Sequence, residues 1–167
     1  MAKIQYPLQQ VLDVKLKRVE DAEKVVKEKQ KILNQEEEKL KKCIEERDKM
    51  RQHYDDKIKQ LRDELDHATT SPKVQQMKAY LNVVKEKLKV EDKKVADQQA
   101  KVDTATKDLE EAKRQLQIKR QEVEKLEMHR DDWKKTMRKE EEIKEEREYD
   151  EIGNIIYGIH SRKNNTK

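Results

Sequence analysis

Large aromatic side chains are almost absent from this sequence of 167 residues, which has no phenylalanine, one tryptophan and only 4% aromatic residues. Glycine and proline occur twice each, and Cys43 is the single cysteine. One cysteine excludes an intramolecular disulfide. Two glycines, Gly153 and Gly158, exclude a glycine-rich phosphate-binding loop, so we expect no nucleotide cofactor.

Apolar residues are also too few for a compact globular core. The hydrophobic class makes up 32% of the chain and charged residues 47%. Ordering each residue costs about 1–2 kcal/mol, which so little apolar surface cannot offset in a globule. A composition rich in Glu, Lys and Leu is typical of long helices and coiled coils, with disorder as the alternative. The spacing of the apolar residues has to decide between them.

Basic residues are not gathered into one segment or face. The 41 Lys and Arg residues are interleaved with 37 Asp and Glu residues, which leaves a net charge of +4. Nucleic-acid-binding proteins usually gather basic residues on one face, so we expect no nucleic-acid partner. No run reaches the ~18 apolar residues of a membrane span, and no signal peptide opens the sequence. We therefore expect a soluble, cytoplasmic protein without membrane insertion.

The second half of the chain carries a regular alternation of three- and four-residue steps. It runs through Val74, Met77, Leu81, Val84, Leu88, Glu91, Val95, Gln98, Val102, Ala105, Leu109, Ala112, Leu116, Lys119, Val123, Leu126, Arg130, Trp133 and Met137. About nine heptads in phase predict a left-handed coiled coil and exclude disorder here. We call these the core positions of the second arm.

The first half shows the same spacing, with polar residues at more of its core positions. These are Leu8, Leu12, Lys15, Val19, Ala22, Val26, Lys29, Leu33, Glu36, Leu40, Cys43, Arg47, Met50 and Tyr54, then, after one extra four-residue step, Ile58, Leu61, Leu65 and Ala68. Such a step changes the phase of a coiled coil locally without breaking the helix.

Between the halves lies HATTSPKV, residues 67–74, which contains poor helix-forming residues and Pro72. Ser71 as N-cap and Pro72 as first helical residue would start a second helix. The predicted fold class is all-α: a long antiparallel two-helix coiled-coil hairpin with a short C-terminal extension. The hairpin would span residues 1–152, with arms at about 7–68 and 72–152 and a turn near 69–71.

A parallel homodimer kinked at Pro72 is the competing architecture. In an antiparallel hairpin, residue i faces approximately residue 142 − i, which brings Arg47 near Glu91. In a parallel dimer Lys119 would face its own copy, and Glu91 likewise. Facing like charges are disfavoured, so the sequence favours a monomeric hairpin.

Beyond Met137 the second arm has no first arm left to pair with. Residues 138–151, RKEEEIKEEREYDE, predict a solvated helical extension, and Gly153 is predicted to end the helix. Residues 153–167 would form a C-terminal tail. Its apolar cluster, which contains Ile155, Ile156, Tyr157 and Ile159, either folds back on the hairpin or docks on another protein.

Trp133 occupies a core position, and the hairpin brings it level with residues 6–12. It is expected to meet Leu8 and Leu12, with Tyr6 beside them. This end of the hairpin either closes a thinning core or also presents an apolar surface to a partner. The candidate partner-binding residues are Tyr6, Leu8, Leu12, Trp133, Met137, Ile155, Ile156 and Tyr157.

No catalytic or metal site is predicted. The four histidines, His53, His67, His129 and His160, have no spacing typical of metal ligands. His129 lies close to Asp131 and Asp132, but on the outer face of a coiled coil these are expected to be solvated surface residues. Cys43 occupies a core position, where cysteine usually serves as a small buried apolar residue. We expect no enzymatic activity.

Two stretches resemble the YscO/FliJ family of type III secretion proteins. They are YPLQQVLDVKLKRVEDAEKVV, residues 6–26, and LEMHRDDWKKTMRKEEE, residues 126–142. The resemblance covers the full length, although only these two stretches are specific, and the tail GNIIYGIHSRKNNTK matches no family motif.

The resemblance implies a cytoplasmic stalk protein at the periphery of the inner-membrane secretion apparatus. Its implied partners are the hexameric secretion ATPase, the export gate and substrate chaperones. One alternative is a generic coiled-coil scaffold or tether. Another is a chaperone-like or RNA-binding hairpin, but the sequence shows neither a strand signal nor a one-sided basic stripe.

Overall fold

Two helices make up the computed structural model, which describes residues 4–67 and 70–166. Helix α1 spans Gln9–Asp66 and helix α2 spans Ser71–Asn164. Within the described ranges there is no β-strand. The predicted all-α fold, a long antiparallel two-helix hairpin, is confirmed.

The chain divides into two compact units, each containing part of both helices. The terminal unit contains residues 1–20 and 117–167, and the turn unit contains residues 21–116. In the terminal unit a residue near the start of α1 faces one far along α2, and in the turn unit a residue near the end of α1 faces one near the start of α2. An antiparallel pair requires this pattern. Lys15 pairs with Glu122 in the terminal unit, and Glu64 pairs with Lys73 in the turn unit.

The helix ends follow from local turn chemistry. The amide of Val74 donates to the carbonyl oxygen of Thr70 at 3.3 Å, so Thr70 is the N-cap, one residue before the predicted Ser71. At the end of α1, the amide of His67 donates to the carbonyl oxygen of Asp63 at 3.2 Å. The predicted turn near 69–71 falls partly on residues 68 and 69, which lie outside the described residues.

The core of the turn unit consists of apolar residues at the predicted core positions. Leu33, Val102, Ala105 and Leu109 form a buried cluster against which Val26 and Leu40 pack. Burying a leucine side chain contributes about 1.5–3 kcal/mol. All core positions of the second arm within this unit, from Val74 to Leu116, are buried or half-buried. Those from Lys119 to Met137, in the terminal unit, are buried or half-buried as well.

The first arm follows its predicted pattern with two exceptions. Leu8 is 38% exposed because it precedes the first residue of α1, and Leu65 is 56% exposed. Near the turn it is Glu64 that faces α2, where its carboxylate binds Lys73 at 3.2 Å. Ala68, the last predicted core position, lies outside the described residues.

The predicted register is wrong in detail. Arg47 approaches Asp92 at 4.0 Å, whereas Glu91 binds Lys94 on its own helix at 3.1 Å. Glu36, which the rule places opposite about residue 106, instead binds Gln98. The rule assumed a turn centred on residue 71, but the break lies between Asp66 and Ser71, so facing residues occur earlier in α2.

The predicted end of α2 at Gly153 is also wrong, because the helix continues to Asn164. A glycine ends a helix by adopting positive φ, and among the described residues no glycine does so. Glycine within a helix costs only about 1 kcal/mol relative to alanine, so a single glycine does not by itself end a helix. The proposed division of the chain into residues 1–152 and 153–167 stays a prediction.

Candidate partner-binding site

A tight turn brings residues 4–8, which we call the N-terminal segment, onto α2 in the terminal unit. The amide of Gln9 donates to the carbonyl oxygen of Tyr6 at 3.1 Å, closing a four-residue turn with Pro7 at its second position. Proline favours this position because its ring fixes φ near the required value. The amide of Leu12 then donates to the carbonyl oxygen of Leu8 at 2.9 Å, which starts α1. Tyr6 therefore lies outside the helix.

Tyr6 is the aromatic partner of Trp133. Their ring centroids are 5.5 Å apart, and the rings meet edge to face at 60°. Tyr6 is only 6% exposed, and Trp133 is half-buried. Such a pair contributes about 0.5–1.5 kcal/mol beyond the area it buries. The prediction placed Trp133 against Leu8 and Leu12 with Tyr6 beside them, whereas the ring contact is with Tyr6 itself.

His129 completes this aromatic set. Its Nδ1 lies 2.5 Å from the Tyr6 hydroxyl oxygen in a hydrogen bond, and the ring centroids are 5.7 Å apart. The assignment of His129 to the solvated surface missed this contact. Because His129 lies four residues before Trp133, the two side chains occupy the same face of α2. That spacing is the sequence signal by which His129 could have been found.

The other candidates in this part of the chain differ in exposure. Leu12 is fully buried, Met137 is half-buried and Leu8 is exposed. Sequence reasoning missed four further exposed apolar side chains in residues 4–16, those of Ile4, Val11, Val14 and Leu16. The N-terminal segment and the first turns of α1 thus combine a buried anchor with accessible apolar surface.

A cross-helix ion pair lies next along the terminal unit. Lys15 Nζ donates to Glu122 Oε2 at 3.0 Å. This hydrogen bond, together with the positive charge of Lys15, holds the pKa of the Glu122 carboxyl below its ordinary value, although desolvation opposes the effect. The pair joins the start of α1 to α2 within the terminal unit.

Ile155, Ile156 and Tyr157 are not brought together with Trp133. Since α2 is continuous, Ile155 lies 22 residues beyond Trp133, or about 33 Å along the helix. The three side chains are 62%, 52% and 77% exposed. The eight candidate residues therefore form two separate surfaces: an aromatic end around Tyr6 and Trp133, and an exposed apolar surface on the last turns of α2.

Other kinds of site find little support. Among residues 4–67 and 70–166, no group of three or more His, Cys, Asp or Glu side chains is arranged to hold a metal ion. Over the same ranges, neither helix contains a stretch apolar enough to cross a membrane.

Known proteins resemble this chain in both sequence and structure. The YscO-like protein family model matches residues 3–163. The solved structure of the YscO homologue CT670 from Chlamydia trachomatis is 46% identical, with a TM-score of 0.92 over 96% of this chain and 99% of that one. A chain in the Chlamydia pneumoniae CdsV and CdsO complex is 48% identical, with a TM-score of 0.49 over 50% of this chain and 98% of that one. Comparison with curated proteins gives no match. The chain belongs to the YscO-like family of type III secretion proteins.

Proposed function

We propose that this protein is a non-enzymatic central stalk, or adaptor, of a type III secretion system. In this role it engages the hexameric secretion ATPase in the cytoplasm, beside the inner-membrane apparatus. It helps to couple the ATPase to the export gate and to substrate chaperones. Membership of the YscO-like family supports a place in type III secretion, and the ATPase role is the finer step that we propose.

The observation that carries the proposal is the packing of Tyr6 against Trp133 and His129. A simple spacer would need only the aliphatic core found elsewhere in the chain. Here a tyrosine and the single tryptophan pack together where the N-terminal segment meets α2. Preorganised aromatic residues with one accessible edge are common in binding hot spots, because little conformational entropy is lost on binding.

We assign the ATPase-binding surface to the eight candidate residues. Tyr6 and Leu12 are buried, so they contribute indirectly by holding the N-terminal segment on α2. The accessible parts of this surface are Leu8, Trp133 and Met137 at the aromatic end, and Ile155, Ile156 and Tyr157 on the last turns of α2. The interleaved charges around them favour contacts that exchange readily, because exposed ion pairs are individually weak.

The proposal can be tested by titrating variants against the purified ATPase hexamer. Trp133→Ala removes the accessible ring and is expected to weaken binding at least about tenfold, as removal of an aromatic hot spot usually does. Tyr80→Ala is the matched control. Tyr80 also contacts a histidine, His53, with ring centroids 5.9 Å apart, but it belongs to the turn unit. We expect Tyr80→Ala to leave ATPase binding nearly unchanged.

Both variants must first be shown to be helical by circular dichroism. Most of the helix should survive in Trp133→Ala, since the core positions from Val74 to Leu116 belong to the turn unit and Trp133 to the terminal unit. Loss of binding in Tyr80→Ala with retention in Trp133→Ala would contradict the proposed orientation. Absence of any measurable binding by the unchanged protein would contradict the ATPase role itself.

A further inference from the structure

The last turns of α2 carry apolar side chains with no partner within the described part of the chain. We call residues 138–164 the C-terminal extension. Its exposed apolar side chains, between 48% and 77% accessible, are Ile143, Tyr149, Ile152, Ile155, Ile156, Tyr157 and Ile159. A Cβ added at Gly153 or Gly158 would meet nothing within 4 Å, so the flanks of the helix are open as well.

Five of these side chains lie on one face. At 100° per residue, Tyr149, Ile152, Ile155, Ile156 and Ile159 fall within an arc of about 120°, whereas Ile143 lies on the opposite side. An apolar stripe of this width on a helix is the pattern that buries itself against another helix. We call these five residues the extension stripe.

The sequence around the stripe is nearly the same in both directions. Residues 152–159 are IGNIIYGI, in which Ile152 mirrors Ile159, Gly153 mirrors Gly158, and Ile155 mirrors Ile156. Two copies of such a helix, placed antiparallel about a two-fold axis between residues 155 and 156, put Ile152 against Ile159 and Ile155 against Ile156, whereas the two glycines lie off the stripe. An interface of this kind is isologous, the usual form in soluble dimers.

The charged residues before and after residues 152–159 agree with the same arrangement. Residues 145–151 carry five carboxylates and one arginine, whereas residues 160–166 carry Arg162 and Lys163 and no carboxylate. The antiparallel pairing sets the acidic segment of each copy along the basic segment of the other, with Glu148 facing Lys163. A parallel pairing would set the acidic segment against itself, which like-charge repulsion disfavours.

We propose that two copies of this protein pair through their extension stripes in an antiparallel, two-fold arrangement. The predicted monomer rested on a coiled-coil core that closes within one chain, and pairing through the extension leaves that core unchanged. The interface is short, so the dimer is weak and depends on concentration. The proposal does not rest on the ATPase role, although both use Ile155 and Ile156.

Sedimentation equilibrium of the full chain without ATPase tests the pairing. The average mass should rise from 20.1 kDa toward twice that value as the concentration increases from about 10 μM to about 1 mM. Ile155→Glu places a charge in the stripe and should raise the dimer dissociation constant at least about tenfold. Ile143→Glu, an equal change on the opposite face, should leave it unchanged. A constant monomer mass, or equal effects of the two substitutions, would overturn the proposal.

Cross-linking tests the orientation. In a Cys43→Ser background, one sample of the protein carries Glu148→Cys and a second carries Lys163→Cys. Their mixture should form a disulfide-linked heterodimer on mild oxidation, because these positions face each other across the two-fold axis. Neither variant alone should cross-link efficiently. Efficient cross-linking of either variant with itself would show a parallel pairing and overturn the arrangement.

Discussion

The side-chain amide of Gln98 binds Glu36 of the opposite helix twice. Gln98 Nε2 donates to the main-chain carbonyl oxygen of Glu36 at 3.0 Å and to its carboxylate at 2.5 Å. Gln98 is 7% exposed and lies among the apolar core positions of α2. A buried amide without a partner costs free energy, and only one register of the two helices supplies this partner. Gln98 therefore specifies how α1 and α2 align within the turn unit.

Replacing Gln98 by alanine should lower the free energy of unfolding by about 1–3 kcal/mol, because the hydrogen bonds to the Glu36 carboxylate and carbonyl are lost. Gln99→Ala is the control, since Gln99 is exposed and bonds Asp103 on its own helix. That change should stay within about 0.5 kcal/mol. Urea unfolding followed by circular dichroism measures both, and equal losses would show that the cross-helix bonds do not stabilise the register.

The same contact predicts a dependence of stability on pH. The hydrogen bond from Gln98 is the main cause that holds the pKa of the Glu36 carboxyl below its ordinary value; desolvation opposes it, and Lys39 and Lys101 add smaller effects in the same direction as Gln98. Because the folded-state pKa is lower than the unfolded one, the contribution is present above the unfolded pKa. It is lost as pH falls through the folded pKa.

Carboxyl titration by NMR checks this prediction. Gln98→Ala should move the pKa of Glu36 upward, toward its ordinary value. Glu122 serves as the internal control, because its pKa is lowered mainly by Lys15 and should not respond to this substitution. An unchanged pKa of Glu36 in Gln98→Ala would show that another group holds the carboxylate ionised.

The two tyrosine–histidine pairs should respond differently to substitution. Tyr6 is buried and bonds His129, whereas Tyr80 is 44% exposed and bonds His53 at 2.8 Å. Tyr6→Phe should lower the free energy of unfolding by about 0.5–1.5 kcal/mol. Tyr80→Phe should change it by less than about 0.5 kcal/mol, since water can replace the lost bond.

Fluorescence separates the ring contact from the hydrogen bond. Trp133 is the single tryptophan, so the tryptophan emission of the protein comes from the ring that contacts Tyr6. Tyr6→Phe keeps the ring and should leave the emission nearly unchanged. Tyr6→Ala opens the site to water and should shift the emission to longer wavelength, whereas Tyr80→Ala should not. A red shift in Tyr80→Ala would mean that Trp133 senses the whole fold and not this one contact.

Apolar periodicity predicted the fold well because it is a local property of the chain. The core positions of the second arm, from Val74 to Met137, are all buried or half-buried, including polar ones such as Gln98 and Lys119. A coiled coil needs only that one face be apolar on average, so substitutions such as glutamine within the pattern leave the period readable. The fold class could therefore be predicted without knowledge of any contact.

The pairing of particular residues could not be predicted in the same way. Register depends on where the turn is centred, and an error of a few residues placed Glu36 opposite about residue 106, whereas it binds Gln98. The aromatic end depends on a turn that precedes α1. This turn buries Tyr6 and leaves Leu8 exposed, which the helical period cannot show. The contact of His129 follows from the same turn.

The continuation of α2 through Gly153 gives the last prediction. Gly153 has no positive φ, and an added Cβ would meet no atom within 4 Å. Alanine at this position should therefore stabilise the helix by about 0.5–1 kcal/mol, because glycine loses more conformational entropy on ordering. Amide hydrogen exchange of residues 150–160, measured in dilute solution where the chain is monomeric, should become slower in Gly153→Ala.

Gly158→Ala should act in the same direction, since Gly158 has the same open surroundings. Gly153→Pro provides the opposite control, because proline removes an amide donor and clashes with the preceding turn of the helix. It should accelerate exchange on both sides of residue 153. If Gly153→Ala also accelerated exchange, residue 153 would require a backbone conformation that alanine disfavours. The helix would then end at Gly153, as the sequence pattern predicted, and the extension stripe would be interrupted between Ile152 and Ile155.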